Sequence, residues 1–207
     1  MLDIPTKYCE SLIGYFFPQP LNIISNVAFL IAAFLAYRYL RNHRVSRLYI
    51  LPILLGIIGI GSAWWHITNS RLGDILDTFS IVLFASVAVL LLLTEIAKSK
   101  VVTALSFILL LSLVLITERF AAWNGSLPYV VLLIGFVIIG VIYIKKIPSA
   151  KSVFLSAILI FLIAIVFRSV DIILCPCIPF GTHFLWHVLL AGLGYQIILM
   201  LANAKNK

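Results

Sequence analysis

Three histidines carry the chemistry that this sequence offers. His66 ends one long apolar stretch, and His183 and His187 begin another, while the fourth histidine, His43, sits in a basic loop. His183 and His187 stand four residues apart, so on a helix they share a face and can grip one metal ion. A third imidazole from elsewhere leaves one tetrahedral position for water, the arrangement of catalytic rather than structural zinc sites. Ser62 stands four residues before His66, on the same helix face, and Asp77 follows eleven residues after it. Zinc held by three neutral imidazoles brings the pKa of a bound water toward about 7. A carboxylate can carry that proton to a leaving group, and a hydroxyl can donate to a developing oxyanion. Asp77 and Ser62 fit those two roles, and hydrolysis of an amide or ester uses all five groups. Taken singly, each has a plainer reading: a water-facing histidine, a helix-packing serine, an aspartate capping a helix or facing Arg71. Taken together at one depth, they point to a metal centre.

The elements that must position these residues are membrane helices. Of the 207 residues, 63% are hydrophobic and 11% charged, and the mean hydropathy is +1.18, where a soluble domain carries about a quarter charged residues. A membrane-spanning helix takes about 20 apolar residues. Seven such runs are expected, roughly 21–40, 48–69, 76–97, 101–118, 127–147, 151–174 and 182–203, joined by short loops. The runs are continuous rather than alternating, which excludes a β-barrel reading. The expected architecture is therefore an all-α integral membrane bundle of seven transmembrane helices, forming a single domain over 1–207, with residues 1–20 as an N-terminal segment. That segment, with Pro5, Pro18 and Pro20 and no basic stretch before an apolar core, reads as no cleavable leader. No matched halves with broken helices suggest a transporter.

The formal charge of +8 does not point to nucleic acid, because the basic residues are spread over loops. Arg38, Arg41, Arg44 and Arg47 fill the first loop, Lys98 and Lys100 the third, Lys145, Lys146 and Lys151 the fifth, and Lys205 and Lys207 the C-terminus. The even loops offer only Arg71, Arg119 and Arg168. By the positive-inside rule the odd loops and the C-terminus are cytoplasmic and the N-terminus is outside. His66, His183, His187 and Asp77 then fall at the outer ends of the second, seventh and third spans. Asp74 is expected to cap the third span, across a tight turn containing Gly73. Trp64 and Trp65 read as interface anchors. Glu118 with Arg119, and Arg168 with Asp171, read as ion pairs at helix ends, and the Gly56–Gly61 cluster, Gly135 and Gly140 as close-packing sites. Asn124-Gly125-Ser126 fits a glycosylation sequon.

The order of these residues resembles a known family. Ser62-x-x-x-His66, Asp77 and His183-x-x-x-His187 are similar to the pattern of the seven-helix membrane zinc hydrolases, which include alkaline ceramidases and the adiponectin and progestin receptors. The stretch HFLWHVLLAGLGY at 183–195 resembles the ceramidase signature. LDTFS at 76–80 resembles the LDE stretch with Thr78 in place of glutamate, YCE at 8–10 the N-terminal WCE, and NIISN at 22–26 the NxxSN word. Asp171-x-x-x-Cys175 resembles the family's sixth-helix end. The resemblance implies that His66, His183 and His187 hold Zn2+, that Asp77 handles the proton, and that Ser62 assists the oxyanion. The substrate it implies is ceramide or another N-acyl lipid taken sideways from the membrane, cleaved to a fatty acid and a long-chain amine at the non-cytoplasmic face. It also implies a Cys9–Cys175 bridge between the N-terminal segment and the sixth span; the alternative is that Cys9, Cys175 and Cys177 are all free thiols. Cys175-Pro176-Cys177 is too short for a redox motif.

Two departures stand out. The calcium-binding acids of eukaryotic ceramidases are replaced, with Lys7-Tyr8-Cys9-Glu10-Ser11-Leu12 at one position and Gln19 at another, so no calcium site is expected. The connection from Cys175 to His183 is short, so a loop over the outer mouth is expected to be lacking. A competing reading is a receptor-like or structural seven-helix protein whose zinc only ties helices together.

Overall fold

The computed structural model describes residues 8–12, 18–97, 99–120 and 122–203. Among them are seven helical segments long and apolar enough to cross a membrane: Pro20–Asn42, Ser46–Thr68, Arg71–Ile96, Lys100–Thr117, Leu127–Lys146, Pro148–Leu174 and His183–Ala202. They are the first to seventh spans below. A helix satisfies its own backbone, which is what an apolar solvent demands. Apolar residues therefore occupy both the inner and the lipid-facing surfaces, and Leu105, Leu109, Ile134 and Leu159 are among many exposed on the outside.

Short connections make successive spans antiparallel. The second span ends where Asn69 turns left-handed at φ 47°, a conformation asparagine tolerates better than most side chains. Ser70 then caps the third span, its hydroxyl accepting from Gly73 N at 3.1 Å. The helix thus starts at Arg71, not near residue 76. Asp74 lies in its first turn rather than at its cap, Gly73 is helical rather than part of a turn, and Asp77 sits in the second turn. Trp64 is 49% exposed, as an interfacial anchor would be, but Trp65 is 1% exposed and belongs to the core.

The sixth and seventh spans pack together, as do the second and third, and the first packs on the second and the seventh. The fourth rests mainly on the third and fifth and is the least buried. Small residues set the close approaches. A Cβ on Gly61 would stand 3.0 Å from Leu76 O, so this glycine lets the second and third spans meet one residue away from Ser62 and Asp77. The central core runs through Leu55, Phe84, Leu92, Phe136, Phe154 and Ile198. At the end remote from the histidines, Arg47 pairs with Glu95 and Lys146 donates to Ile96 O. The basic residues of the first loop and of the fifth loop lie at that end as well; Lys7, Lys98, Lys205 and Lys207 lie outside the described residues.

Candidate metal centre

His66, His183 and His187 come together, fully buried, with one ligand atom of each within 4.8 Å of the others. The cluster could hold a metal ion. His66 reaches it from the last turns of the second span, and His183 and His187 from the first two turns of the seventh. The i, i+4 spacing does put both imidazoles on one face, with ring centroids 4.6 Å apart.

The hydrogen bonds around two of the rings test whether a cation fits. His66 Nδ1 donates to Gln19 Oε1 at 2.7 Å, and that oxygen also accepts from Asn22 Nδ2 at 3.0 Å. His187 Nδ1 lies 2.8 Å from Ser25 Oγ, whose own proton goes to Asn22 O at 2.9 Å, so His187 Nδ1 is the donor. A neutral imidazole has one N–H. Both Nε2 atoms are therefore bare lone pairs, and they face each other at 3.2 Å. Two bare acceptors at that distance repel unless a cation lies between them. Two nitrogens bound tetrahedrally at about 2.0–2.1 Å from one ion would stand about 3.4 Å apart, so the observed spacing fits zinc. Among the described residues no fourth histidine, cysteine or carboxylate joins the cluster.

Ser62 Oγ lies 3.5 Å from His187 Nε2, and Gly61 beside it brings the second span against the third at Leu76, next to Asp77. Asp77 Oδ1 is sealed from solvent with no partner of its own. Below this group is an apolar cavity between the second, third, fifth, sixth and seventh spans. Ile58 lines it one turn below Ser62, Ile81 one turn below Asp77, and Leu190 one turn below His187. The polar site thus lies one helical turn above this apolar shaft, over it like a roof and on the same helix faces, without lining it.

The N-terminal residues are built into the site. Both Glu10 oxygens accept from the start of the first span, from Leu21 N at 2.7 Å and Asn22 N at 2.9 Å. Burial pushes the Glu10 carboxyl above its ordinary range, while those two N–H donors pull it down. Cys9 is paired with Cys175, Cα atoms 5.4 Å apart, within the usual span of a disulfide; Cys177 is exposed and free. Arg168 and Asp171 are not an ion pair, and neither are Glu118 and Arg119; among the described residues the pair is Arg47–Glu95. Asp171 is instead surrounded by backbone, accepting from Cys9 N at 2.8 Å, Thr182 N at 2.6 Å and His183 N at 2.9 Å. Arg168, 6% exposed, lies over the rings of Tyr8, Tyr129 and Trp186 and donates to Tyr8 Oη at 3.2 Å.

Gln19, Ser25, Arg168 and Tyr8 escape a reading of the sequence as site residues. Gln19 stands out there only as the residue in a position where related chains carry an acid, and Ser25 only as a letter of the NIISN word. Neither has a spacing rule that links it to a histidine in another span.

A family model described as Ceramidase matches residues 6–206, nearly the whole chain. No curated protein matches it.

Proposed function

The chain belongs to the ceramidase family, and from that premise we propose that it is a zinc-dependent membrane amidohydrolase acting on ceramide or a ceramide-like N-acyl lipid. The observation that carries the metal part is the pair of unprotonated Nε2 atoms of His66 and His187 facing each other at 3.2 Å, with His183 beside them. His66, His183 and His187 would be the ligands. When bound, zinc supplies a Lewis acid that polarises a carbonyl and makes water acidic at neutral pH.

The remaining steps fall to the chain's own residues. Asp77 takes a proton from the attacking water as its oxygen bonds to the acyl carbon. Asp77 then delivers that proton to the nitrogen as the C–N bond breaks, so the products are a fatty acid and a free amine. Ser62 is placed to donate to the carbonyl oxygen as it gains charge. The apolar shaft beneath takes the acyl chain and excludes water, and its lining, which includes Ile58, Ile81, Phe136 and Leu190, is apolar but for Tyr129. The active site opens toward the non-cytoplasmic face, by the distribution of basic loops.

The competing reading, a zinc that only ties spans together, needs a fourth protein ligand. The three-ligand cluster favours hydrolysis over that reading. The test is Asp77→Asn, which keeps the shape and removes the base. Purified protein should release fatty acid from N-acyl sphingoid lipids, lose this activity on chelation, and regain it with zinc. Asp77→Asn should retain about one zinc per chain while turnover falls by about 10²–10⁴. If the Asp77→Asn protein hydrolyses these amides at the parent rate, the mechanism is overturned.

A further inference from the structure

We propose that Tyr8 is a positioning residue for the metal centre, holding the His183 imidazole by its face where the other two histidines are held by hydrogen bonds. The inference rests on the metal reading above and concerns the one ligand ring whose orientation that reading leaves unexplained.

His66 is oriented by Gln19 and His187 by Ser25. His183 has no counterpart: among the described residues no hydrogen bond reaches either nitrogen of its ring, so whichever one faces the metal, the other is untied. Metal-bound histidines almost always have their second nitrogen tied to a partner, which fixes the ring and its tautomer. Without one, the His183 ring needs another constraint against rotation. The closest neighbour is Tyr8, whose ring stacks on the imidazole at a centroid distance of 3.8 Å and an interplanar angle of 20°. The His187 ring meets His183 at 78°, edge to face. His183 is thus fixed between a parallel face and a perpendicular edge.

Tyr8 is itself held from several sides. It is 3% exposed. Its hydroxyl accepts from Arg168 Nη1, and the guanidinium carbon lies 5.8 Å from its ring centre. The same guanidinium lies 5.1 Å from the ring centre of Tyr129 and 5.4 Å from that of Trp186. Arg168 therefore braces three aromatic rings rather than a carboxylate. The next residue, Cys9, is bonded to Cys175, and its N–H goes to Asp171. That carboxylate also accepts the N–H of His183. One buried aspartate thus sets the backbone on both sides of the stack, which fixes the two rings relative to each other.

A tyrosine that merely fills space would be replaceable by any side chain of similar volume. A positioning tyrosine needs its aromatic face. The test is the zinc affinity of metal-stripped protein, measured by chelator competition in detergent for the parent, Tyr8→Phe and Tyr8→Leu, with the visible spectrum of the cobalt-loaded forms alongside. Tyr8→Phe keeps the face and should stay within about threefold of the parent. Tyr8→Leu keeps bulk without a face and should bind zinc about 10–100-fold more weakly, the usual loss for an outer-shell partner, with shifted cobalt bands. Apo-protein unfolding curves for both variants establish that each is folded. If Tyr8→Leu unfolds, Tyr8→Met and Tyr8→Trp replace it, with the same expectation of loss for Met and retention for Trp. Parent-like zinc affinity and cobalt bands in a folded variant lacking the ring would overturn the proposal. A parent that binds no zinc would instead overturn the metal reading on which it stands.

Discussion

Gln19 and Ser25 decide which nitrogen His66 and His187 turn toward the centre of the cluster, where the metal is proposed. Each accepts the Nδ1 proton of one ring, at 2.7 and 2.8 Å, and so bares the Nε2 on the other side. Gln19→Leu and Ser25→Ala should each weaken zinc binding by about 10–100-fold. Turnover at saturating zinc should fall less, because neither residue touches the reacting atoms. Chelator-competition titration beside activity at high zinc separates the two effects, and unchanged affinity in both variants would show that the tautomers are set in another way. The histidines themselves are legible in the sequence because they are rare, costly within apolar segments, and spaced by a helical turn. Their partners are not, because Gln19 and Ser25 reach the rings across contacts between the first span and two others. Arg168 and Asp171 show the same limit. Spacing of i, i+3 suggests a pair, but chain from three other regions offers Asp171 its N–H groups and Arg168 its rings, and no local rule encodes that.

The seven spans are readable at the level of elements, since continuous apolar length is a strong signal. Their ends are less so. The third span starts about five residues earlier than its apolar run, because Ser70 caps a first turn containing Arg71 and Asp74. The start of the seventh span matters most for the site, since its first residue is a proposed ligand. Three backbone N–H groups around it converge on Asp171, and the chain turns into the helix at Gly181 with φ 67°. A side chain is doubly excluded there. That φ is unfavourable for residues with a Cβ, and the added carbon would collide with the Asp171 carboxylate and with Cys9. Gly181→Ala should therefore destabilise the protein by more than about 2 kcal/mol and weaken metal retention with it. Asp171→Ala should do the same by leaving three buried donors unpaired, at about 1–3 kcal/mol for each group left unsatisfied. Thermal unfolding in detergent, read with zinc content, checks both. A Gly181→Ala protein with parental stability would mean that the turn can relax without disturbing the carboxylate.

At the scale of the whole molecule, the basic first and fifth loops and the cluster of His66, His183 and His187 occupy opposite ends of the bundle, and the apolar shaft lies between them. From the loop charges we propose that the histidine end faces outside. Cys177 is free, exposed and at that end, so a membrane-impermeant maleimide should label it in intact cells; labelling only after permeabilisation would reverse the orientation. The shaft makes a stronger demand. Ile197 lines it ten residues after His187, about 15 Å along the seventh span, and Ala88 lines it eleven residues after Asp77, about 16 Å along the third. A chain entering from the metal centre must therefore pass Ile81 and Phe136 before it reaches Ala88 near the far end. Bulk added at Ala88 leaves the roof untouched and removes only depth. Ala88→Phe should leave zinc content unchanged and keep turnover of short-chain N-acyl amides within about threefold. For long-chain amides kcat/KM should fall by about tenfold or more, since each displaced methylene is worth about 1–3 kcal/mol in a fitted apolar pocket. A substrate series differing only in acyl length measures this directly. Uniform loss across the series would mean that Ala88 supports the bundle rather than gauges the chain, whereas no loss at any length would place the acyl chain elsewhere. A length-dependent break would fix both the direction in which the lipid enters and the depth at which it stops.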